Sequence, residues 1–208
     1  MRLLKKIVHK LGRWYIRELN KREYKSQRFK KNERDIEYRF VFNSLLQTNP
    51  ITVLDIGSGT TSLPSLMNTC GFVVTAIDNI YDYWPSGMFN KHFYVVNDNI
   101  VQTKITEKFD LITCISVLEH IKNHKSAIQN MFSLLKPGGH LVLTFPYNEN
   151  SYIENVYKVP NAGYGQNVPF ICQVYSRNEL NSWLKDNGGI LLEQEYWQVF
   201  FRRILDIW

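Results

Sequence analysis

The sequence predicts an α/β fold in which a mostly parallel β-sheet carries helices on both of its faces. Five short apolar runs rich in β-branched residues follow one another through the middle of the chain. Helical or irregular segments separate these runs, so each strand reaches the next through a crossover connection. Crossovers keep successive strands parallel, and the 208 residues are enough for one such domain with an appendage.

The five runs have the continuous apolar character of strands that are buried on both faces of a sheet. They lie at 51–56, 72–78, 92–98, 109–117 and 140–146. A later apolar and aromatic run predicts one further strand at 190–201.

Helical spacing of apolar residues predicts the helices that flank and connect these strands. They are expected at 3–19, 33–47, 61–68, 124–136 and 176–187. The last of them begins with a capping-box pattern, because Ser176 is followed three residues later by Glu179. Gly188 then ends it.

The segment 147–175 differs from the rest of the chain, because it is rich in Tyr, Asn, Gly and Pro and has no clear period. An irregular segment of this length is more typical of a lid or a binding insertion than of a connector. We therefore predict a basic helical N-terminal extension at 1–49, followed by a ligand-binding domain at 50–208 that contains this insertion.

The positive charge of the chain is concentrated at its N-terminus. Residues 1–39 contain 14 Lys and Arg against 5 Asp and Glu, or +9, whereas the whole chain carries +6. The predicted helix at 3–19 places apolar residues on one face and basic residues on the other. Such a helix either binds an anionic membrane or a nucleic acid, or packs its apolar stripe on its own domain.

The composition favours a reducing, cytoplasmic setting, with membrane association as the alternative. The sequence contains neither a run of 18 apolar residues nor a secretory signal pattern, so we expect no spanning helix. Cys70, Cys114 and Cys172 lie far apart and form no metal-binding or disulfide pattern.

A glycine turn and two acidic residues indicate a ligand site at the carboxyl edge of the sheet. In the stretch "VLDIGSGTTSL", Gly57 and Gly59 follow the first strand and allow a ligand to approach the backbone. Asp78 ends the second strand, where a carboxylate can accept from two ribose hydroxyls, and Asp98 ends the third, within reach of an adenine. Each signal alone is weak, but their order and spacing together predict a nucleoside-containing cofactor.

The motif series "VLDIGSG", "AIDN", "VNDNI", "FDLITCISVLEHI" and "LLKPGGHLVLTFP" resembles class I S-adenosylmethionine-dependent methyltransferases. The resemblance covers about residues 51–146, with a weaker match over 175–195, and is strongest to the small-molecule "LEH" branch, similar to methyltransferase type 11. It implies a Rossmann-like, mostly parallel seven-stranded sheet that ends in an antiparallel pair, but only one late strand is clear in this sequence, so a sheet that lacks the last strand is the alternative. It also implies S-adenosylmethionine as cofactor and S-adenosylhomocysteine as product. Thr61 stands where the family often has a third glycine, and a cofactor without phosphates should tolerate it.

The same resemblance assigns cofactor-binding roles to residues at the carboxyl ends of the strands. Asp55 would lie near the methionine end, Asp78 would bind the ribose, and Asp98 would address the adenine. Ser116 and Val117 would contact the methionine part and border the acceptor. The full set is Asp55, Gly57, Ser58, Gly59, Asp78, Asn79, Asp98, Asn99, Ser116 and Val117.

His120 is the preferred general base for transfer to an oxygen, with Glu119 beside it as the second catalytic candidate. The alternative is that this pair only orients the loop. Some relatives bind magnesium through an E-x-x-E-H pattern, but Ser116 replaces its first Glu here. A site formed by Glu119, His120 and His124 is the alternative, and no metal is predicted. The acceptor wall is assigned to Tyr147, Asn148, Tyr152, Tyr164 and Tyr175, all within the insertion. The alternative is that these residues only pack the loop.

The favoured function is methyl transfer from S-adenosylmethionine to an oxygen of a small molecule or glycan, in a cell-surface polysaccharide or natural-product pathway. Residues 1–20 suggest peripheral membrane contact. One alternative is an RNA methyltransferase that uses the basic extension as a phosphate-binding arm. The other is a scaffold that binds the cofactor without turnover.

Overall fold

A computed structural model describes residues 2–27, 33–83, 89–160 and 169–198. The chain divides into two compact units, Met1–Asp35 and Ile36–Trp208. The first unit contains helix α1, Arg2–Gln27, which extends the predicted helix. Eight of its apolar residues are between 49% and 73% exposed; they are Leu3, Leu4, Ile7, Val8, Leu11, Trp14, Tyr15 and Ile16.

The second unit is built on a parallel sheet, as the sequence predicts. Its strands are β1 (Thr52–Ile56), β2 (Val73–Asp78), β3 (Val95–Asn97), β4 (Phe109–Ile115) and β5 (Leu135–Thr144). Their order is β3-β2-β1-β4-β5, and each neighbouring pair is parallel. The reversal of strand order at β1 and β4 is where open α/β sheets bind their ligands.

The helices of this unit agree with the predicted ones to within a few residues, except for a short α4 that was not predicted. They are α2 (Arg34–Thr48, which spans the unit boundary), α3 (Leu63–Thr69), α4 (Ile80–Tyr83), α5 (His124–Ser133) and α6 (Arg177–Asn187). Short 3-10 helices lie at Ile100–Gln102, Leu118–His120 and Val156–Lys158. The predicted capping box at Ser176 and Glu179 is present, and Gly188 ends α6 in the left-handed conformation, with φ of 68°.

Alternating residues of the strands send side chains to opposite faces of the sheet, and helices cover both faces. On one face, Leu54 and Ile112 pack in a core with residues of α5 and α6. On the other face, Val53 and Leu111 pack with residues of α2 and α3. Helix α2, which the sequence placed in the N-terminal extension, is therefore part of the core of the sheet domain through residues such as Val41.

The predicted seven-stranded sheet is not found in the described part of the chain, which contains five strands. Residues 190–198 form no strand, and 199–201 lie outside the described residues. Side chains hold this segment instead of a backbone ladder. Arg177 donates to Gln194 at 2.9 Å and to the hydroxyl of Tyr196 at 2.5 Å, and the Arg39 guanidinium lies 4.7 Å from the Trp197 ring centre.

Among the described residues, no helix combines the length and apolar character needed to cross a bilayer.

Candidate functional site

The glycine turn after β1 is shaped by two residues with different requirements. Gly57 has φ of 71°, and a Cβ there would lie 2.4 Å from a methyl carbon of Val117. Gly59 has φ of 52°, but a Cβ there would meet nothing closer than a backbone oxygen at 4.0 Å. Gly57 therefore makes room for Val117, while Gly59 leaves open space at the turn.

The side chain of Asp55 stabilises the turn through hydrogen bonds. Its Oδ1 accepts from Thr113 Oγ1 at 2.7 Å, and its Oδ2 accepts from Ser58 Oγ at 2.7 Å. Asp55 and Ser58 are each only 2% exposed. The carboxylate thus joins the end of β1 to β4 and to the turn, and its place near the methionine end of the cofactor stays a prediction.

Asp78 ends β2 and faces the turn directly. Its Oδ2 accepts from the Gly59 N–H at 2.8 Å. Burial raises the pKa of Asp78, although hydrogen bonds from the backbone of Gly59 and Asn79 act in the opposite direction. A carboxylate at this position can accept hydrogen bonds from the hydroxyl groups of a ribose, which is the role predicted from the sequence.

Asp98 and Asn99 shape the loop that follows β3. Asp98 accepts from the Asn99 N–H at 2.8 Å and from Thr103 Oγ1 at 2.6 Å, while Asn99 accepts from the Val101 N–H at 3.0 Å. The Asp98 N–H donates to the Asp78 carbonyl at 3.0 Å, which brings the two predicted acidic residues together. An adenine contact by Asp98 or Asn99 stays a prediction.

Ser116 lies directly after β4 in an uncommon backbone conformation, with φ of 51°. Its N–H donates to Thr144 Oγ1 at 2.9 Å, and its hydroxyl donates to Glu37. Thr144 in turn donates to Glu37 Oε1 at 2.7 Å. Glu37, from α2, is only 8% exposed. Helix α2 therefore contributes a carboxylate to the carboxyl edge of the sheet.

His120 is held in an orientation that suits a base. Its Nδ1 lies 2.7 Å from the carbonyl oxygen of Ile171. Because a carbonyl only accepts, Nδ1 carries the proton in the neutral ring and Nε2 keeps a lone pair. The Nε2 atom lies 3.9 Å from Glu119 Oε1, and the His120 side chain is 29% exposed. In this tautomer Nε2 is the acceptor atom of the ring, and the role of the pair as a base stays a prediction.

The two described thiols near Glu119 are not nucleophiles. Burial, with the charge of Glu119 as a second cause, raises the pKa of Cys172 to about 12 and the pKa of Cys114 well above its usual value. Both therefore stay protonated at neutral pH, and only a thiolate attacks or binds metal efficiently.

Gln173, near the end of the insertion, contacts the 3-10 helix that contains His120. Gln173 donates from its backbone N–H to the Glu119 carbonyl at 2.9 Å and from its side chain to the Ile121 carbonyl at 2.8 Å. It also accepts from the Tyr152 hydroxyl at 2.6 Å. The insertion thereby fixes the loop on which the candidate base lies.

The residues assigned to the acceptor wall have different surroundings. Tyr175 is fully buried, and its hydroxyl donates to the Leu118 carbonyl at 2.7 Å, so it packs inside the domain. Tyr152 is 37% exposed, and Tyr147 donates to Glu149 at 2.5 Å. Asn148 shapes a turn by accepting from the Asn150 N–H at 2.8 Å. Tyr164 lies outside the described residues.

His124 does not join Glu119 and His120 in a metal site. Among the described residues its buried Nδ1 has no hydrogen-bond partner, and its ring packs on Tyr175 and Trp183 with centre distances of 5.0 Å and 5.7 Å. Burial lowers the pKa of His124. No group of three or more His, Cys, Asp or Glu is placed to hold a metal ion in the described ranges.

Comparison with known protein families gives a match over residues 24–193 to the family described as a methyltransferase domain. The chain belongs to this methyltransferase family. The class I S-adenosylmethionine-dependent family that the motifs resemble is thus confirmed, and so is the Rossmann-like α/β fold.

Curated and solved relatives agree with this assignment. The ubiquinone biosynthesis O-methyltransferase of Coxiella burnetii (strain Dugway 5J108-111) is 30% identical over 153 residues, which cover 68% of this chain and 64% of that protein. The chain therefore spans less than two thirds of that relative's length.

Two solved methyltransferases share the fold. An S-adenosylmethionine-dependent methyltransferase from Clostridium acetobutylicum ATCC 824 has a TM-score of 0.53 at 16% identity and covers 83% of this chain and 87% of that one. The N-methyltransferase NodS from Bradyrhizobium japonicum WM9, solved with S-adenosyl-l-homocysteine, has a TM-score of 0.53 at 20% identity and covers 85% of each chain.

Within this methyltransferase domain, the structure gathers the predicted cofactor residues along the carboxyl edge of β1 to β4. Three further residues near this edge, Glu37, Thr144 and Gln173, were not predicted from the sequence. A signal for Glu37 existed, because it falls four and eight residues before Val41 and Leu45 and so lies on the buried stripe of α2. No comparable signal marks Gln173, which lies in the segment without a period.

Proposed function

We propose that this protein transfers a methyl group from S-adenosylmethionine to an oxygen of a small molecule. The orientation of His120 carries the proposal, because its basic Nε2 is fixed just past the carboxyl end of β4, where the resemblance places the acceptor. The printed name of the Coxiella relative, an O-methyltransferase, supports the same class of reaction.

The residues at this edge fit the cofactor. Gly59 leaves open space in a left-handed turn, and the half-buried Asp78 lies 2.8 Å from the Gly59 amide. Asp78 would hold the ribose, and the turn would pass beneath the methionine part. When bound, S-adenosylmethionine supplies a sulfonium methyl group that is already activated for in-line displacement.

The contribution of the chain is alignment of the acceptor, exclusion of water and movement of one proton. His120 Nε2 would accept the proton of the acceptor hydroxyl. The imidazolium would then keep its Nδ1–H bond to the Ile171 carbonyl. The Glu119 carboxylate, 3.9 Å from Nε2, would stabilise this positive charge.

A panel of phenolic, sugar and aliphatic alcohols with isotope-labelled donor tests the proposal, with His120→Ala compared against wild type. We expect the turnover number to fall about 100-fold or more, since a general base contributes on the order of 10² to 10⁴. Donor affinity should change little. His140→Ala, on β5, is the matched control. Unchanged turnover in His120→Ala would show that His120 is not the base.

For a second partner, we propose that α1 binds the surface of an anionic membrane. Residues 3–17 contain five Lys and Arg and no Asp or Glu, and seven exposed apolar residues, Leu3 to Tyr15, line the opposite face. A nucleic acid would engage only the basic face and leave the apolar stripe in water. An anionic bilayer engages both faces, and Trp14 and Tyr15 are of the type enriched at membrane interfaces.

The alternatives for the acceptor and the partner keep distinct signatures. A glycan acceptor would appear in the panel as turnover with sugars only. An RNA methyltransferase would transfer the label to RNA with a steep salt dependence. A scaffold would bind the donor without turnover on any acceptor.

A further inference from the structure

We infer that Glu37 is a positioning residue of the donor site, which holds the turn at Ser116 and favours the cationic donor over its demethylated product. The inference rests on the proposed function. Glu37 belongs to α2, outside every motif that carries the family resemblance, and no role was assigned to it from the sequence.

The first observation is a closed ring of hydrogen bonds at the ends of β4 and β5. Ser116 and Thr144 both donate their hydroxyl hydrogens to the Glu37 carboxylate, with Thr144 Oγ1 at 2.7 Å. The Ser116 N–H closes the ring by donating to Thr144 Oγ1 at 2.9 Å. One helix and two strands thereby meet at a single carboxylate, at the edge where the ligand would bind.

The second observation is the conformation that the ring supports. Ser116 has φ of 51°, which a non-glycine residue keeps only where its surroundings determine it. The residue after it, Val117, occupies the space that Gly57 leaves open. The 3-10 helix Leu118–His120 begins directly after Val117. The turn at Ser116 therefore determines where Val117 packs against Gly57. It also determines where the 3-10 helix that contains His120 begins.

The charge of Glu37 distinguishes the donor from the product. Glu37 is 8% exposed, so its field is screened less than that of a surface carboxylate. S-adenosylmethionine carries a methyl group and a positive charge on its sulfur that S-adenosylhomocysteine lacks, and the two molecules are otherwise the same. A negative charge at this edge consequently stabilises the donor complex more than the product complex, which favours exchange of product for fresh donor.

A purely structural role for Glu37 predicts a different result. A residue that only fastens α2 to the sheet would, when replaced, lower stability and weaken both ligands by the same factor. The ratio of the two dissociation constants therefore distinguishes an effect of the Glu37 charge from an effect of its structural contacts. This ratio can be measured without an acceptor and without turnover.

The test is calorimetric titration of S-adenosylmethionine and S-adenosylhomocysteine into wild type, Glu37→Gln and Glu37→Asp. Glutamine keeps the size and one acceptor oxygen but removes the charge. We expect the dissociation constant of the donor to rise about tenfold relative to that of the product in Glu37→Gln. Glu37→Asp, which keeps the charge, should retain most of the wild-type ratio. The control is Asp35→Asn, which removes an exposed charge two residues away on α2.

Equal weakening of both ligands, or no weakening, in Glu37→Gln overturns the inference while leaving the proposed function intact. Wild-type protein that binds neither ligand overturns both. If Glu37→Gln does not fold, Thr144→Val tests the ring itself. It keeps the carboxylate, so it should weaken the two ligands by a similar factor, and unchanged affinity contradicts the positioning role.

Discussion

At the scale of single residues, the two positions of the turn are occupied by glycine for different physical reasons. Gly57 is required by a neighbour, because Val117 fills the place of its missing side chain. Gly59 has no such neighbour, and its left-handed backbone lies beside open space. A glycine pattern in a sequence therefore indicates a turn, but only the packing shows which glycine leaves room for a ligand.

Replacement of the two glycines should separate these roles. Gly57→Ala introduces a contact of 2.4 Å with Val117 at a φ of 71°, so we expect the free energy of unfolding to fall by roughly 2–4 kcal/mol. Gly57→Ala combined with Val117→Ala should recover part of this loss. Gly59→Ala has only the backbone cost, about 1–2 kcal/mol, but should weaken donor binding.

Urea denaturation measures the stabilities, and calorimetric titration measures the donor affinity. Equal destabilisation by Gly57→Ala and Gly59→Ala would contradict the packing account. A Val117→Ala background that gives no recovery would do the same.

At the scale of elements, the amino end of the sheet is fastened by one carboxylate, far along the strands from the candidate site. Asp110 of β4 accepts from the Thr52 N–H and hydroxyl of β1, each at 2.8 Å. Its other oxygen accepts from Lys136 of β5 at 2.9 Å. The central strand β4 is thereby joined to both of its neighbours.

This arrangement predicts a pH-dependent stability. The Thr52 backbone hydrogen bond, followed by the bond from Lys136, holds the pKa of Asp110 well below its usual range. A carboxyl whose folded pKa lies below its unfolded value, about 3.9, stabilises the fold above that value. This contribution is lost progressively as the pH falls from about 4 toward the folded pKa.

We expect Asp110→Asn to lower the free energy of unfolding at pH 7 by about 1–3 kcal/mol, since hydrogen bonds to charged groups are lost. The difference from wild type should shrink as the pH falls below about 4. Denaturant titrations at pH 7, 4 and 3 measure it, with the exposed Glu107→Gln as control. A difference that stays constant with pH would assign the effect to packing alone.

At the scale of the whole molecule, the sequence predicted the parallel sheet and the shared edge of Gly59, Asp78 and Asp98. The spacing of apolar residues and the ends of strands can be recognised from local sequence. Crossover connections make the strands parallel, so their carboxyl ends lie at one edge of the sheet. The ring at Glu37 was not predictable in this way, because its partners are 79 and 107 residues away in sequence. Such contacts depend on how a helix is docked, which the period of that helix does not specify.

The strand predicted at 190–201 is a second case in which local sequence did not determine the tertiary contacts. An apolar, β-prone run can be satisfied by a neighbouring strand or by side-chain contacts, and propensity does not distinguish them. In residues 190–198, Arg177 and Arg39 provide side-chain contacts to Gln194, Tyr196 and Trp197. The capping box of α6, in contrast, is complete within four residues and was predictable.

In the N-terminal unit, the apolar stripe of α1 requires an apolar partner surface and the basic face requires an anionic one. Leu4→Asp with Leu11→Asp should reduce binding to vesicles of phosphatidylglycerol and phosphatidylcholine at least tenfold, since each buried Leu contributes about 1.5–3 kcal/mol. Lys6→Gln with Lys10→Gln should weaken it less, by about 1 kcal/mol per charge, and reduce its salt dependence.

Vesicle co-sedimentation and thermal unfolding, measured together, decide among the three partners of α1. Leu46→Asp places the same change at an exposed apolar residue of α2, 81% exposed, and should leave vesicle binding unchanged. If Leu4→Asp with Leu11→Asp lowers the melting temperature and wild type binds no vesicles, α1 packs on its own domain. If wild type binds RNA but not anionic vesicles, and these substitutions leave RNA binding intact, the basic face alone is functional. Only loss of vesicle binding at unchanged melting temperature agrees with a helix that uses both of its faces on a membrane.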